Sequence, residues 1–343
     1  MLAFAGWRQA NTDDAARGRP LCSLTRPVPD EDWNEMDSPA AQPAGAGPGA
    51  GRKRPARLKV GVVGAGRAGA AMGAALARAG HDVVAASGVS EASAERARRY
   101  LPGALLTEPA EVLARADLAL LTVPDDALPG LVAGLAATGA PLNGRMVAHA
   151  SGRYGTAVLE PATRRGALPM ALHPVMTFTG RPDDLDRMAG ATFGVTAPEP
   201  LRPAVEALVI EMGGEPVFIA EGDRALYHAA LAGAANHLVT LVAESQALLS
   251  GIGVPDPARM LAPLLSAALD NALRLGFSAL TGPVARGDAG TVADHIGALR
   301  RASPEALAAY VALARLTADR ALRAGTLRPD DAGRLLDVLG GPR

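Results

Sequence analysis

Lys59 to Gly80 reads KVGVVGAGRAGAAMGAALARAG. Val60-Gly61-Val62-Val63 has the unbroken apolar, β-branched character of a strand buried on both faces. Gly64-Ala65-Gly66-Arg67-Ala68-Gly69 follows as a G-x-G-x-x-G turn. Each of its glycines has its own reason to lack a Cβ: a tight turn, close approach of backbone to a pyrophosphate, and contact between helix and strand. Ala70 to Ala79 has helix-forming composition, and Gly80 suits a left-handed cap. A helix starting here aims unpaired N–H groups and the positive end of its dipole at a phosphate. Gly64, Ala65, Gly66, Arg67, Ala68 and Gly69 are therefore candidate dinucleotide contacts.

The acid that would bond the ribose 2′-OH of NAD, about twenty positions past the first glycine, is missing. A second strand over His81 to Ser87 instead ends in Ala85-Ala86-Ser87-Gly88-Val89-Ser90. Ser87 and Ser90 leave room for a 2′-phosphate, and Arg67 and Arg96 supply charge, so NADP(H) is expected over NAD. For Arg96, well inside its helix with Arg98 and Arg99 behind it, the expectation is a solvated surface residue.

A length of 343 residues suggests about two domains, and 49% hydrophobic residues suffice for a core in each. The 34 basic and 35 acidic residues leave a net charge of −1, which gives no global attraction to nucleic acid or an anionic membrane. Cys22 stands alone, which excludes a disulfide scaffold and Cys-based metal sites, so a reducing, cytoplasmic location is the default expectation. No apolar run is read as reaching the roughly 18 residues of a membrane span. The two lysines, Lys53 and Lys59, both precede or begin the first strand, so lysine chemistry is closed to the second half of the chain.

Residues 1–57 have the composition of a disordered tail, ending GAGPGAGRKRPAR, and Met36 is an alternative start. Residues 58–222 alternate strand and helix, the mark of a mostly parallel, doubly wound α/β sheet. Strands are expected at Ala104 to Leu106, Asp117 to Val123, Met146 to His149, Ala167 to His173, Ala191 to Thr196 and Pro216 to Ala220. Helices are expected over Glu91 to Tyr100, Pro109 to Ala116 and Leu201 to Met212, with Asp125-Asp126 as caps for another. Residues 223–343 are helical throughout, beginning with a helix capped by Asp223 that runs to Ser250. Further helices are expected at Ala258 to Leu275, Thr291 to Arg301, Pro304 to Arg323 and Pro329 to Leu339, and the loop from Leu280 to Asp288 reads as non-helical.

In an open parallel sheet, ligands sit beyond the carboxyl ends of the strands. That places the glycine turn, Ser87, Val123-Pro124-Asp125, His149-Ala150-Ser151-Gly152 and His173-Pro174 on the ligand side. Val123 and Pro124 are candidates to support a nicotinamide ribose, or form a plain strand end. Ser151 and Gly152 offer donors to a substrate or cofactor, and His149 joins the candidate cofactor contacts. His81, ahead of its strand, is expected to be exposed. On the long helix, His228 and Asn236 return to similar angles and either border a cleft or form a buried pair. Arg286 can clamp a carboxylate with parallel hydrogen bonds, or pair with Asp288 to fix its loop.

GVVGAGRAG, LLTVPDDAL, VAHASGRYG, LHPVMTF, YHAALAGAANHL and ALTGPVARGD together resemble the oxidoreductase-like family with an N-terminal Rossmann-like domain and a C-terminal helical domain of unknown function (DUF2520). The resemblance covers about residues 58–340. More distantly, the layout is similar to β-hydroxyacid dehydrogenases, ketopantoate reductases and pyrroline-5-carboxylate reductases. It implies NADP(H), a two-domain cleft and homodimerisation through the C-terminal helices. The first two of those distant families use a lysine on the first long helix of the second domain, and this chain has none there. The resulting expectation is reduction of a small 2-keto acid, ketopantoate-like, with His228 as proton donor, Asn236 and Ser151 orienting the carbonyl and Arg286 holding the substrate carboxylate. A cyclic-imine reductase and a non-catalytic NADP-binding sensor are the alternatives.

Overall fold

β1 (Lys59–Val63) is buried from Val60 onward and lies inside the sheet, as its composition requires. The computed structural model describes residues 57–340. The expectations for the N-terminal tail, Met36 and Cys22 lie outside the described residues. With β2 (Asp82–Ser87), β3 (Leu105–Leu106), β4 (Leu118–Leu121), β5 (Met146–His149), β6 (Leu168–Pro174), β7 (Thr192–Thr196) and β8 (Glu215–Phe218), it forms one sheet in the order β3-β2-β1-β4-β5-β6-β7-β8. Every pairing is parallel except β6 with β7, where His173 stands opposite Gly194.

Strand periodicity splits the sheet into two cores. Val60, Val62, Leu118 and Leu120 face one cluster, which packs under α1 (Arg67–Arg78), α2 (Glu91–Tyr100), α6 (Asp183–Met188) and α7 (Arg202–Glu211). Val63, Ala119, Leu121 and Val147 face the other, under α3 (Pro109–Arg115), α4 (Leu128–Ala137) and α5 (Glu160–Thr163). This is the doubly wound arrangement expected. The strand order reverses between β1 and β4, which opens a crevice at their carboxyl ends.

Beyond β8 the chain is helical: α8 (Arg224–Gly251), α9 (Pro257–Leu275), α10 (Pro283–Arg286), α11 (Ala289–Ala302), α12 (Pro304–Arg323) and α13 (Pro329–Gly340). α10 to α13 share a core of their own that includes Val292, Ile296, Leu335 and Leu339. α8 and α9 differ: Arg224 is the sole buried residue of α8 and none is buried in α9. Among the described residues, the segment Glu221–Gly251 is the one helix long and apolar enough to cross a membrane by length and composition. This corrects the reading that no such run exists; few charges interrupt its Ala, Leu and Val.

Several local expectations are corrected. β4 ends at Leu121, because Thr122 turns its hydroxyl onto the Val63 and Gly64 carbonyls at 3.2 and 2.7 Å. Asp125 and Asp126 do not cap α4; Ala127 is its N-cap, and the Pro124 carbonyl accepts from the Ala127 and Leu128 N–H groups. Asp223 makes no side-chain cap, since the 3-10 turn Glu221–Asp223 leads straight into α8. The loop expected between Leu280 and Asp288 contains the short helix α10. His81 is 6% exposed rather than solvated, with Nδ1 accepting from the Leu58 N–H and Nε2 at 2.7 Å from Glu211.

Two glycines of the turn now have opposite steric status. A Cβ on Gly69 would lie 2.2 Å from Thr122 Oγ1 and 2.5 Å from the Gly64 carbonyl, whereas one on Gly66 would meet only the Gly64 carbonyl, at 3.9 Å. Gly69→Ala is expected to destabilise the protein by about 1–3 kcal/mol. Gly66→Ala should fall within about 1 kcal/mol of the parent. Urea denaturation of both variants checks the contrast, and equal losses would contradict it.

Candidate active site

The glycine turn is fastened to the ends of two neighbouring strands. Gly64 has φ of +91°, which glycine adopts without strain. The Ser87 carbonyl accepts from the Gly64 and Ala65 N–H groups at 3.1 and 2.7 Å, and Ser87 Oγ accepts from Gly64 at 3.3 Å. Gly66 is the N-cap of α1, which has no side-chain cap and no acid in its first turn. Its leading N–H groups therefore have no capping side chain, and the dipole's positive end lies behind them. That cradle fits a pyrophosphate: Gly66 is the position where a side chain would fill empty space beside it.

Past β5, the loop is shaped by His149, which is 1% exposed. Its Nε2 donates to the Gly155 carbonyl at 2.8 Å and its Nδ1 accepts from the Ser151 N–H at 3.2 Å. Those two partners fix the neutral Nε2–H tautomer. Ser151 Oγ in turn accepts from the Arg153 and Tyr154 N–H groups. Glu221, just ahead of α8, ties the same loop to the helical half by accepting from the Thr156 and Ala157 N–H groups at 2.7 and 3.1 Å.

Against this loop stands a cluster built from β6, β7 and the first turns of α8. Tyr227 Oη lies 2.7 Å from His173 Nδ1, and the rings of His173 and His228 meet edge-on with centroids 6.2 Å apart. Two glycines make room. A Cβ on Gly194 would sit 2.1 Å from Tyr227 Oη, and one on Gly152 would sit 2.8 Å from both His173 Nε2 and His228 Cδ2. Arg224, 2% exposed, donates from Nε to Thr196 Oγ1 at 2.8 Å and from Nη2 to the Gly194 carbonyl at 3.1 Å.

The electrostatics follow from this packing. Burial pushes His149 down to about 4, with Arg224 adding to the shift against the Gly155 hydrogen bond. Burial likewise pushes His173 down to about 4, reinforced by Arg224 and His228. Both are neutral at physiological pH. Burial raises the Tyr227 phenol, while the Arg224 charge and the Gly194 backbone pull it down. The site therefore holds neutral hydrogen-bonding groups next to one desolvated cation.

The structure sorts the candidate residues. Gly64 to Gly69, Val123, Pro124 and Ser87 gather at the crevice, with Val123 Cγ1 against Gly64. Ser90 is the N-cap of α2, accepting from the Ser93 N–H. His149 is corrected: both ring nitrogens are consumed inside its own loop, which leaves neither for a cofactor. Arg96 is corrected in the other direction. It is half-buried, with Nη1 3.5 Å from the Ala65 carbonyl, and lines a crevice with Arg67 and Arg181. Asn236 is exposed on α8, so the buried His228–Asn236 pair does not form. Arg286 is exposed on α10, which packs against α11 and α12, and the structure does not bring it to the histidines. Asp288 caps α11 through the Thr291 N–H. Sequence reading passed over Tyr227, Arg224 and Gly194. The available signals were a glycine inside an apolar strand and an arginine opening an apolar helix, where the dipole disfavours a cation.

Sheet order, glycine turn and crevice define a Rossmann-type dinucleotide-binding domain followed by a helical half. A Rossmann-like domain model matches residues 41–174, and the domain of unknown function DUF2520 matches residues 191–317. The chain belongs to the family that joins these two domains. No curated protein matches it. Among solved structures, a candidate NADP oxidoreductase from Bacteroides fragilis is 22% identical, with TM-score 0.63 over 77% of this chain and 98% of that one. An imine reductase from Pseudomonas sp. is 22% identical, with TM-score 0.58 over 83% and 100%. A reductive aminase from Aspergillus terreus, solved with NADPH4, cyclohexanone and allyl amine, is 20% identical, with TM-score 0.55 over 82% and 99%. At these identities the likeness is one of fold.

The depressed histidines make stability depend on pH in a set direction. Below the ordinary value near 6.5 the unfolded chain takes up protons that folded His149 and His173 refuse until about 4. Their contribution is complete above pH 6.5 and is lost as pH falls toward 4, at about 1 kcal/mol per pH unit for each. Urea midpoints at pH 7.5, 6 and 5 should decline accordingly. His149→Gln should be less stable at pH 7.5 but show a shallower decline, and an unchanged slope would contradict the assignment.

Proposed function

We propose that this protein is an NADP(H)-dependent reductase of a small substrate bearing a C=N or C=O bond. The observation that carries this reading is the Tyr227 hydroxyl held 2.7 Å from His173 Nδ1 on the ligand side of a Rossmann sheet. When bound, NADPH supplies the hydride. Gly66 and the open first turn of α1 would hold its pyrophosphate. Arg67 in the glycine turn and Arg96, whose Nη1 lies 3.5 Å from the Ala65 carbonyl, would supply charge for the 2′-phosphate.

In this reading Tyr227, rather than His228, protonates the substrate nitrogen or oxygen. His173 donates its Nδ1–H to Tyr227 Oη, which leaves the phenol proton free for the substrate. Tyr227 is left as a phenolate that keeps the Nδ1–H hydrogen bond, and after the reduction it takes the Nδ1 proton while Nε2, on the side of Gly152 and His228, picks up one from solvent. His173 stays neutral throughout, as its burial favours. A positioned donor of this kind contributes about 10² to 10⁴ in rate.

The C=N substrate class rests on the imine reductases among the structural neighbours; the 2-keto-acid class rests on the sequence resemblance alone, since its carboxylate clamp, Arg286, lies on α10. A dinucleotide sensor without chemistry is the remaining alternative. We also propose that two copies pair through α8 and α9, which expose Val239, Met260, Leu264 and Leu273 beside an apolar groove of about 780 Å³ lined by Leu241, Leu248, Leu299 and Leu313.

NADPH and NADH titrations should give tighter NADPH binding, weakened by Arg96→Ala. NADPH should be consumed with cyclic imines or keto acids, and Tyr227→Phe should lower turnover at least about 100-fold with NADPH affinity kept. Saturable NADPH binding with no consumption across both substrate panels would favour the sensor. Light scattering should give a dimer mass, and Leu264→Glu with Leu273→Glu should give monomer; a monomeric parent would refute the pairing.

A further inference from the structure

Arg224 breaks three rules at once. It is 2% exposed, although arginine is rarely buried without a partner. Its hydrogen bonds go to a threonine hydroxyl and a backbone carbonyl, both neutral, and Nη1 has no partner among the described residues. It also occupies the first position of α8, where the helix dipole opposes a cation. Glu221 acts on it through space, but the Glu221 oxygens are committed to Thr156 and Ala157. Such a charge is costly to keep in the ground state, and it gains when a negative charge develops nearby.

The neighbour able to develop that charge is Tyr227. The guanidinium carbon of Arg224 lies 5.6 Å from the centre of the Tyr227 ring, three residues on along the same helix face. Arg224 also grips the carbonyl of Gly194, the residue whose missing Cβ admits the phenol. Resting on the reductase reading above, we propose that Arg224 is the positioning residue that makes Tyr227 an acid. Its buried, unpaired charge stabilises the phenolate left when Tyr227 releases its proton, and its bond to Gly194 fixes where that phenolate forms. The other ionisable groups around the pair do not take this role: His173 and His149 are neutral, His228 packs edge-on to His173, and Asp125 and Glu221 are acids that oppose a phenolate.

The first test needs no substrate. The ultraviolet difference titration between the full-length protein and its Tyr227→Phe variant isolates one of four tyrosines. In an Arg224→Gln background the Tyr227 transition should move to higher pH by about one unit, and Arg224→Lys, which keeps the charge, should move it less. An unmoved transition in Arg224→Gln overturns the proposal, even if the protein proves to be a fine reductase. The second test reads turnover. Arg224→Gln should lower kcat at least tenfold with NADPH affinity kept, and the alkaline limb of the pH profile should shift upward. Fluorotyrosine at position 227, a stronger acid, should restore part of that loss. A purely structural Arg224 would lower thermal stability and kcat together, with no shift of the limb and no rescue. If Arg224→Gln does not fold, Arg224→Lys and fluorotyrosine carry the same comparison. Should no substrate be turned over at all, the reductase reading fails while the ultraviolet titration still decides the role of Arg224.

Discussion

The first turn of α8 is the joint on which the site hangs. A helix of 28 residues is held to the sheet by one buried residue, Arg224, together with Tyr227 against His173. Glu221 fastens the approach to that turn by capping the loop past β5. The remainder of the helix is exposed or half-buried, so sheet and helical half share their geometry through a few polar contacts. Each of those contacts requires a glycine opposite it. Gly194 admits Tyr227, Gly152 admits His173 and His228, and a Cβ at Gly155 would meet the Glu221 carboxylate at 2.2 Å. Three backbone positions without side chains thus set how closely helix and loops approach, which is a tighter constraint than any single hydrogen bond supplies.

The sheet was legible in the sequence because its signals are local. Apolar β-branched runs, a G-x-G-x-x-G between strand and helix, and prolines at helix starts each act within a few residues. α2, β5 and α12 fall at the residues expected, and the other expected strands and helices differ mainly at their ends. The errors cluster where a side chain reaches across the fold. His81 looks exposed by position but is buried by Glu211 on α7, and Arg96 looks solvated but leans over the glycine turn. Aspartates that resemble caps lost to a backbone carbonyl or to a 3-10 turn, alternatives that sequence spacing does not distinguish.

The candidate site was only half legible for the same reason. The glycine turn is a contiguous motif, so its residues could be named from spacing. The histidine cluster exists because β7 runs antiparallel to β6 and brings Gly194 opposite His173, a register that no local pattern encodes. His228 drew notice as a polar residue in an apolar helix, while the phenol beside it, Tyr227, makes the hydrogen bond. His149 was correctly placed on the ligand side, yet its ring is spent on holding a loop.

The missing lysine and the buried arginine are two aspects of one charge balance. A lysine donor begins as a cation and ends neutral, so it needs no other positive charge once the proton has gone. A tyrosine donor begins neutral and ends as an anion, which is unfavourable among apolar groups unless a cation is already in place. The second half of this chain has no lysine, and beside Tyr227 it keeps a desolvated guanidinium to which no carboxylate is bound among the described residues. On the proposed reading, in which Tyr227 takes the donor's place, Arg224 supplies the cation that a phenolate calls for and a neutral lysine does not. Neutral histidines follow from the same balance. A protonated His173 would add a second buried positive charge next to Arg224, and both burial and that charge hold it in the neutral form able to pass a proton along.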